Sequence, residues 1–160
     1  MSELKVGIGD YKMSSRPGDV LKTFGLGSCV AVMVYDKVNK MGAMIHIALP
    51  DSTIDEVKAA ARPAYFADTG LAKMFNEISG KGTSRRDVWI KIAGGASIMD
   101  SKNTFDIGRR NALAIKKWLW KNRFGVLKED IGGTGSRTVT FNTEDGDIII
   151  SLGNKELKHL

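Results

Sequence analysis

Two nearly continuous apolar runs, Ser28 to Tyr35 and Met41 to Leu49, flank the polar segment Asp36-Lys37-Val38-Asn39-Lys40. A strand covered on both faces reads as such a run, and a short polar break between two of them predicts a hairpin. After Pro63, apolar residues at Ala64, Ala67, Leu71, Met74, Phe75 and Ile78 recur at helical spacing until Gly80-Lys81-Gly82. This pattern predicts an amphipathic helix that starts at the proline. Val88 to Ala93 predicts a buried strand running into Gly94-Gly95, and a second helix is expected from after Asp106 to about Phe124, stopped by Gly125. The last third predicts strands at Val126 to Ile131, Arg137 to Phe141 and Asp147 to Leu152, with turns at Gly132-Gly133 and Glu144-Asp145-Gly146.

Two major helices and six or seven strands, many linked by hairpins, predict a mixed α/β (α+β) layered fold. Strict βαβ alternation is missing, which argues against a doubly wound parallel sheet. The chain shows no internal repeat and no Pro/Gly/Ser-rich linker, and its 160 residues suit one domain spanning positions 1–160.

Composition narrows the chemistry. A single cysteine forms no internal disulfide, and two histidines give no Cys/His cluster with zinc spacing, so no metal is expected. The lone thiol, the lack of a leader-like N-terminus and the lack of an apolar run of ~18 residues lead us to expect a cytoplasmic protein without direct membrane insertion. The formal charge of +6 favours acidic partners. Charge fixes the sign of a partner and not its kind. A glutamate-rich protein surface satisfies it as well as nucleic acid does, and no nucleic-acid-binding motif is present.

Around the only cysteine the chain reads Thr23-Phe24-Gly25-Leu26-Gly27-Ser28-Cys29, a glycine-bearing loop entering a buried strand. Exposed backbone N–H groups at Gly27 and Ser28 would hold the oxyanion that forms when a thiol attacks a carbonyl. The hairpin decides whether His46 can serve that thiol. One register places Cys29 directly opposite His46, and a register displaced by two makes them diagonal neighbours on one face. The intermediate register puts them on opposite faces. An adjacent imidazole would favour the thiolate and protonate a departing amine. The same residues also fit a plainer reading: an inert core cysteine, a hydrogen-bonded histidine and glycines that only turn the chain.

Gly25-Leu26-Gly27-Ser28-Cys29-Val30, Gly42-Ala43-Met44 and His46-Ile47-Ala48-Leu49-Pro50 resemble the CheD family, the chemoreceptor glutamine deamidases of bacterial and archaeal chemotaxis. The likeness continues in the same order through Lys91-Ile92-Ala93-Gly94-Gly95-Ala96-Ser97, Phe105-Asp106-Ile107-Gly108-Arg109-Arg110-Asn111, and Gly132-Gly133 with Arg137-Thr138-Val139. It implies Cys29 as nucleophile, His46 as general base and acid, and Thr23 as the third member of a triad. It also implies a β-sandwich flanked by helices, related to the catalytic domain of the cytotoxic necrotizing factor toxins, and no cofactor. The implied substrates are methyl-accepting chemoreceptor cytoplasmic helices, deamidated through a Cys29 thioester, with methyl-ester hydrolysis needing only a different leaving group. The implied partner is a CheC-type phosphatase, bound by a monomer that forms heterocomplexes, and the alternative function is chiefly regulatory binding of CheC and receptors.

Three further features are candidate contacts. Gly94-Gly95 suits either close approach of a substrate backbone or a tight turn. Arg109 and Arg110 suit either carboxylates of a partner or a solvated helix face. On the second helix, Ile107, Ala112, Ile115, Trp118 and Leu119 gather toward the core. Leu113, Trp120 and Phe124 fall nearly opposite, among Arg109, Arg110, Lys116, Lys117, Lys121 and Arg123. Such a stripe is expected either to dock an acidic amphipathic helix or to be covered by another part of the fold.

Overall fold

The computed structural model describes residues 2–97, 106–153 and 156–160. Phe105, which opens one block of the family likeness, lies outside them. Among the described residues the strands are β1 (Glu3–Lys5), β2 (Tyr11–Ser14), β3 (Val20–Leu26), β4 (Val30–Asp36), β5 (Met41–Ile47), β6 (Val88–Gly94), β7 (Lys128–Ile131), β8 (Arg137–Asn142), β9 (Ile148–Leu152) and β10 (Leu157–His159). The helices are α1 (Glu56–Ala61), α2 (Ala67–Gly80) and α3 (Ile107–Lys121). One sheet runs β1-β3-β8-β9-β10 and the other β2-β5-β4-β6-β7. Only the β1/β3 and β6/β7 pairs are parallel. The mixed α/β class holds, with more strands than the apolar pattern predicted.

Alternation along β4 and β5 builds three layers. Val30, Val32, Val34, Ala43, Ile45 and Ile47 face α2 and α3, meeting Leu71, Met74, Ile78, Ala112, Ile115 and Leu119. Ala31, Met33, Tyr35 and Met44 face the other sheet, meeting Leu21, Leu26, Val139, Phe141, Ile148 and Ile150. The central hairpin is therefore buried on both sides, which is why its sequence is almost continuously apolar.

Two helix boundaries differ from expectation. Pro63 to Tyr65 forms a 3-10 turn, and Phe66 is extended, bridging to Leu49, so α2 starts only at Ala67. The Tyr65 carbonyl accepts from the N–H groups of Ala48 and Leu49, which ties that break to the end of β5. At the other boundary α3 ends at Lys121, before Phe124 and Gly125. Arg123 adopts a left-handed conformation (φ 64°), and the Phe124 N–H returns to the Leu119 carbonyl at 2.8 Å.

Two glycines let α3 approach the end of β6, and a third lets the residues before β4 do so. A Cβ at Gly108 would lie 2.5 Å from the carbonyl oxygens of both Gly95 and Ala96, and one at Gly95 would lie 2.9 Å from the Gly108 oxygen. A Cβ at Gly94 would lie 2.3 Å from the Cys29 oxygen. Backbone atoms cannot yield as a flexible side-chain tip does. Gly108→Ala is therefore expected to lower stability by about 1–3 kcal/mol, read as a lower urea midpoint, and an unchanged midpoint would show that this contact is slack.

Candidate active site

Thr23 lies inside β3 and not in a loop. β3 pairs with β8 from Val20 to Thr23, shifts register, and pairs again at Leu26. Gly25 supplies the positive φ (63°) within that irregularity, so the glycine that suggested a loop marks a bulge in a continuing strand. The Thr23 side chain is buried between the sheets, where its hydroxyl lies 2.7 Å from the Val6 carbonyl and 2.7 Å from His46 Nδ1.

The protons in this group can be placed. A carbonyl only accepts, so the Thr23 hydroxyl donates to Val6 and is left to accept from His46. Nδ1 then carries the imidazole proton, and Nε2 is the basic nitrogen. Nε2 is buried and has no hydrogen-bond partner among the described residues. Backbone bonds fix the ring's strand as well, since the His46 carbonyl accepts from Gly9 N–H and its N–H donates to the Asp10 carbonyl.

The hairpin takes the diagonal register. Ala31 pairs with His46 and Val30 with Ile47, so Cys29, two residues before Ala31, shares the face of His46. Diagonal neighbours on one face are about 7–8 Å apart at Cα, a span that aromatic and long side chains bridge, and no hydrogen bond joins Cys29 to His46 Nε2. Cys29 is partly exposed and packs against the layer between the sheets.

Three consecutive carbonyls of the loop before β4 are held from one side. Gly27 O accepts from Ala96 N–H at 2.8 Å, Ser28 O from Asn111 Nδ2 at 2.9 Å, and Cys29 O from Gly95 N–H at 2.9 Å. Among the described residues the N–H groups of Gly27, Ser28 and Cys29 donate no hydrogen bond. A loop with its carbonyls fixed and its N–H groups unspent suits a developing oxyanion. Gly94 accommodates the backbone of Cys29 and Gly95 that of Gly108, and Arg137 donates to the carbonyls of Gly94 and Gly132 while pairing with Asp130 at 3.0 Å.

Burial sets the resting charge state. It pushes the Cys29 thiol up to about 11 and holds the His46 imidazole down at about 4, the nearby Val6 carbonyl opposing the latter shift. Both groups are therefore neutral at pH 7, a thiol beside an imidazole, in place of the thiolate that the sequence pattern suggested.

Of the remaining candidates, Arg109, Arg110 and Trp120 lie on α3, and Phe124 lies just beyond its end. Arg109 and Arg110 are exposed, Arg109 lying 3.9 Å from Asp106. Arg110 and Leu113 border an open groove with Pro50, Lys117 and Trp118. Trp120 is 80% exposed, as a surface stripe requires. Phe124 leaves that stripe: its ring packs 4.5 Å from Phe75 with the Arg85 guanidinium over it. Sequence reasoning missed Asn111, a buried polar residue whose Nδ2 also donates to the Ala48 carbonyl at 3.0 Å. Its signal was a carboxamide on the stripe formed by Gly108, Ala112, Ile115 and Leu119.

Among the described residues no cluster of His, Cys, Asp and Glu is arranged to hold a metal, and no helix is long and apolar enough to cross a membrane. The sequence model of the family described as CheD chemotactic sensory transduction matches residues 48–152. Full-length relatives extend the similarity over the thiol and the imidazole. A protein of Syntrophotalea carbinolica is 43% identical over 94% of each chain, and one of Solibacter usitatus is 41% identical over 98% of this chain and 92% of its own. A third, from Syntrophus aciditrophicus, is 38% identical over the whole of both chains. All three carry the description probable chemoreceptor glutamine deamidase CheD. With two thirds of its residues inside the family match and such relatives along its whole length, the chain belongs to the CheD family.

Proposed function

We propose that this chain deamidates glutamine side chains of methyl-accepting chemoreceptors to glutamate, with Cys29 as nucleophile, His46 as proton carrier and Thr23 as the group that orients His46. The observation that carries the reading is the relay from the Val6 carbonyl through Thr23 to His46 Nδ1, which leaves Nε2 without a partner among the described residues, while Cys29 packs against the same layer between the sheets. The description of the relatives supplies the substrate class.

The chemistry follows from the neutral pair. As the Cys29 sulfur bonds to the carboxamide carbon, its proton passes to His46 Nε2, and the carbonyl oxygen becomes an oxyanion facing the N–H groups of Gly27 to Cys29. The imidazolium returns that proton to the amide nitrogen, which leaves as ammonia and a thioester remains. His46 then removes a proton from water, the hydroxyl adds to the thioester carbon, and the C–S bond breaks. The imidazolium returns its proton to the departing sulfur, so the substrate carboxyl group and the Cys29 thiol are released. A methyl ester enters the same sequence with methanol as the leaving group. Because thiolate formation is unfavourable at rest, sulfur is activated only as substrate arrives.

The exposed face of α3, with Arg109, Arg110, Leu113 and Trp120, is the partner-facing surface in this reading. A chiefly regulatory role in binding a CheC-type phosphatase is the alternative.

Incubation with receptor cytoplasmic fragments is expected to convert individual glutamines to glutamates by mass spectrometry. Cys29→Ala should abolish conversion and retain the fold and partner binding. Conversion by the Cys29→Ala variant would remove the thiol from the mechanism, and binding without conversion by the wild-type chain would favour the regulatory alternative. The acid limb of kcat/KM checks the charge state. His46 accepts a proton only when neutral, and burial lowers its pKa to about 4. Activity is therefore expected to persist below pH 6.5 and to fall as pH drops through about 4. A limb near the ordinary histidine value would show a hydrated imidazole.

A further inference from the structure

Asn111 stands out because its position rewards an apolar side chain. It is fully buried on the face of α3 that also carries Gly108, Ala112, Ile115 and Leu119. Asparagine is a mediocre residue for a helix interior, and its Oδ1 is buried without a hydrogen-bond partner among the described residues. An orphaned buried acceptor is destabilising, a penalty that a leucine or alanine would avoid. The opposite end of the carboxamide is fully used: Nδ2 donates at 2.9 Å to the Ser28 carbonyl and at 3.0 Å to the Ala48 carbonyl.

Those two carbonyls belong to the two halves of the site. Ser28 precedes Cys29 in the loop whose N–H groups find no acceptor among the described residues, and Ala48 lies two residues beyond His46, just past the end of β5. One NH2 group spans them. The glycine contacts between α3 and β6 bring the helix close enough for this side chain to reach both.

We propose that Asn111 is a positioning residue for the reaction at Cys29, clamping the Ser28 and Ala48 carbonyls together and so fixing the Gly27 to Cys29 loop against the strand that carries His46. The inference rests on the deamidase reading for its catalytic consequence, whereas its geometric content stands apart from that reading. The amide touches neither substrate nor the reacting atoms. Its effect is on where sulfur and the oxyanion-facing N–H groups sit, a placement on which rate depends steeply.

The test uses Asn111→Leu, which keeps the approximate volume and removes both donors, and Asn111→Ser, a smaller change in case the first does not fold. Each is compared with the wild-type chain by deamidation kinetics on receptor fragments, by urea unfolding and by the rate of Cys29 alkylation with iodoacetamide. In a cooperatively folded variant kcat should fall by about tenfold to hundredfold with KM little changed, and alkylation should accelerate as the loop loosens. A residue that merely packs the helix would lower the unfolding midpoint and leave kcat and alkylation of the folded fraction at wild-type values, which would overturn the proposal. If the wild-type chain proves to release no ammonia, the deamidase reading fails separately. The alkylation rates then decide: faster in the variants supports the clamp, and unchanged refutes it.

Discussion

The hydrogen bond between Thr23 and His46 crosses from one sheet to the other at 2.7 Å, and the geometry of the site depends on it. Thr23 is on β3 and His46 on β5, so the bond fixes the ring relative to both layers. The Val6 carbonyl gives the bond its direction by taking the hydroxyl proton. Direction matters more than strength here, because it puts the imidazole proton on Nδ1 and leaves the lone pair on Nε2. Thr23 is thus a structural link between sheets and, in the proposed reaction, the group that selects the tautomer.

The second constraint is steric. Gly94, Gly95 and Gly108 let the end of β6, the start of α3 and the loop before β4 approach at distances that a Cβ forbids. Through that contact the carbonyls of Gly27, Ser28 and Cys29 all find donors on the same side. A single clustering of backbone therefore holds the three carbonyls of that loop. The apolar layer between the sheets sets the rest, since the burial that packs Cys29 against its neighbours also keeps thiol and imidazole neutral.

The central hairpin was legible because burial on both faces leaves a long apolar run, and only its register stayed open. The turn settles that register: the Asp36 carboxylate accepts from the N–H groups of Val38 and Asn39, and Lys40 has a positive φ of 51°. Neither detail has a strong sequence signature at these residues. The strands β1, β2 and β10 escaped notice because three or four residues at a sheet edge carry too little alternation. Thr23 was assigned to a loop because glycine punctuates both bulges and turns. The candidates Cys29 and His46 were named from residue type and spacing, and Thr23 from the family likeness. Asn111 was visible as a polar interruption of an apolar stripe, but its two carbonyl partners lie far away in sequence and only the fold brings them together.

The tautomer of His46 tests the central claim most directly. Heteronuclear NMR of a nitrogen-labelled sample near neutral pH should show Nδ1 bearing the proton and Nε2 with the shift of an unprotonated nitrogen. Thr23→Val should disturb that signature. A proton on Nε2, or an imidazolium signal at neutral pH, would contradict the relay and with it the proposed route by which Cys29 loses its proton.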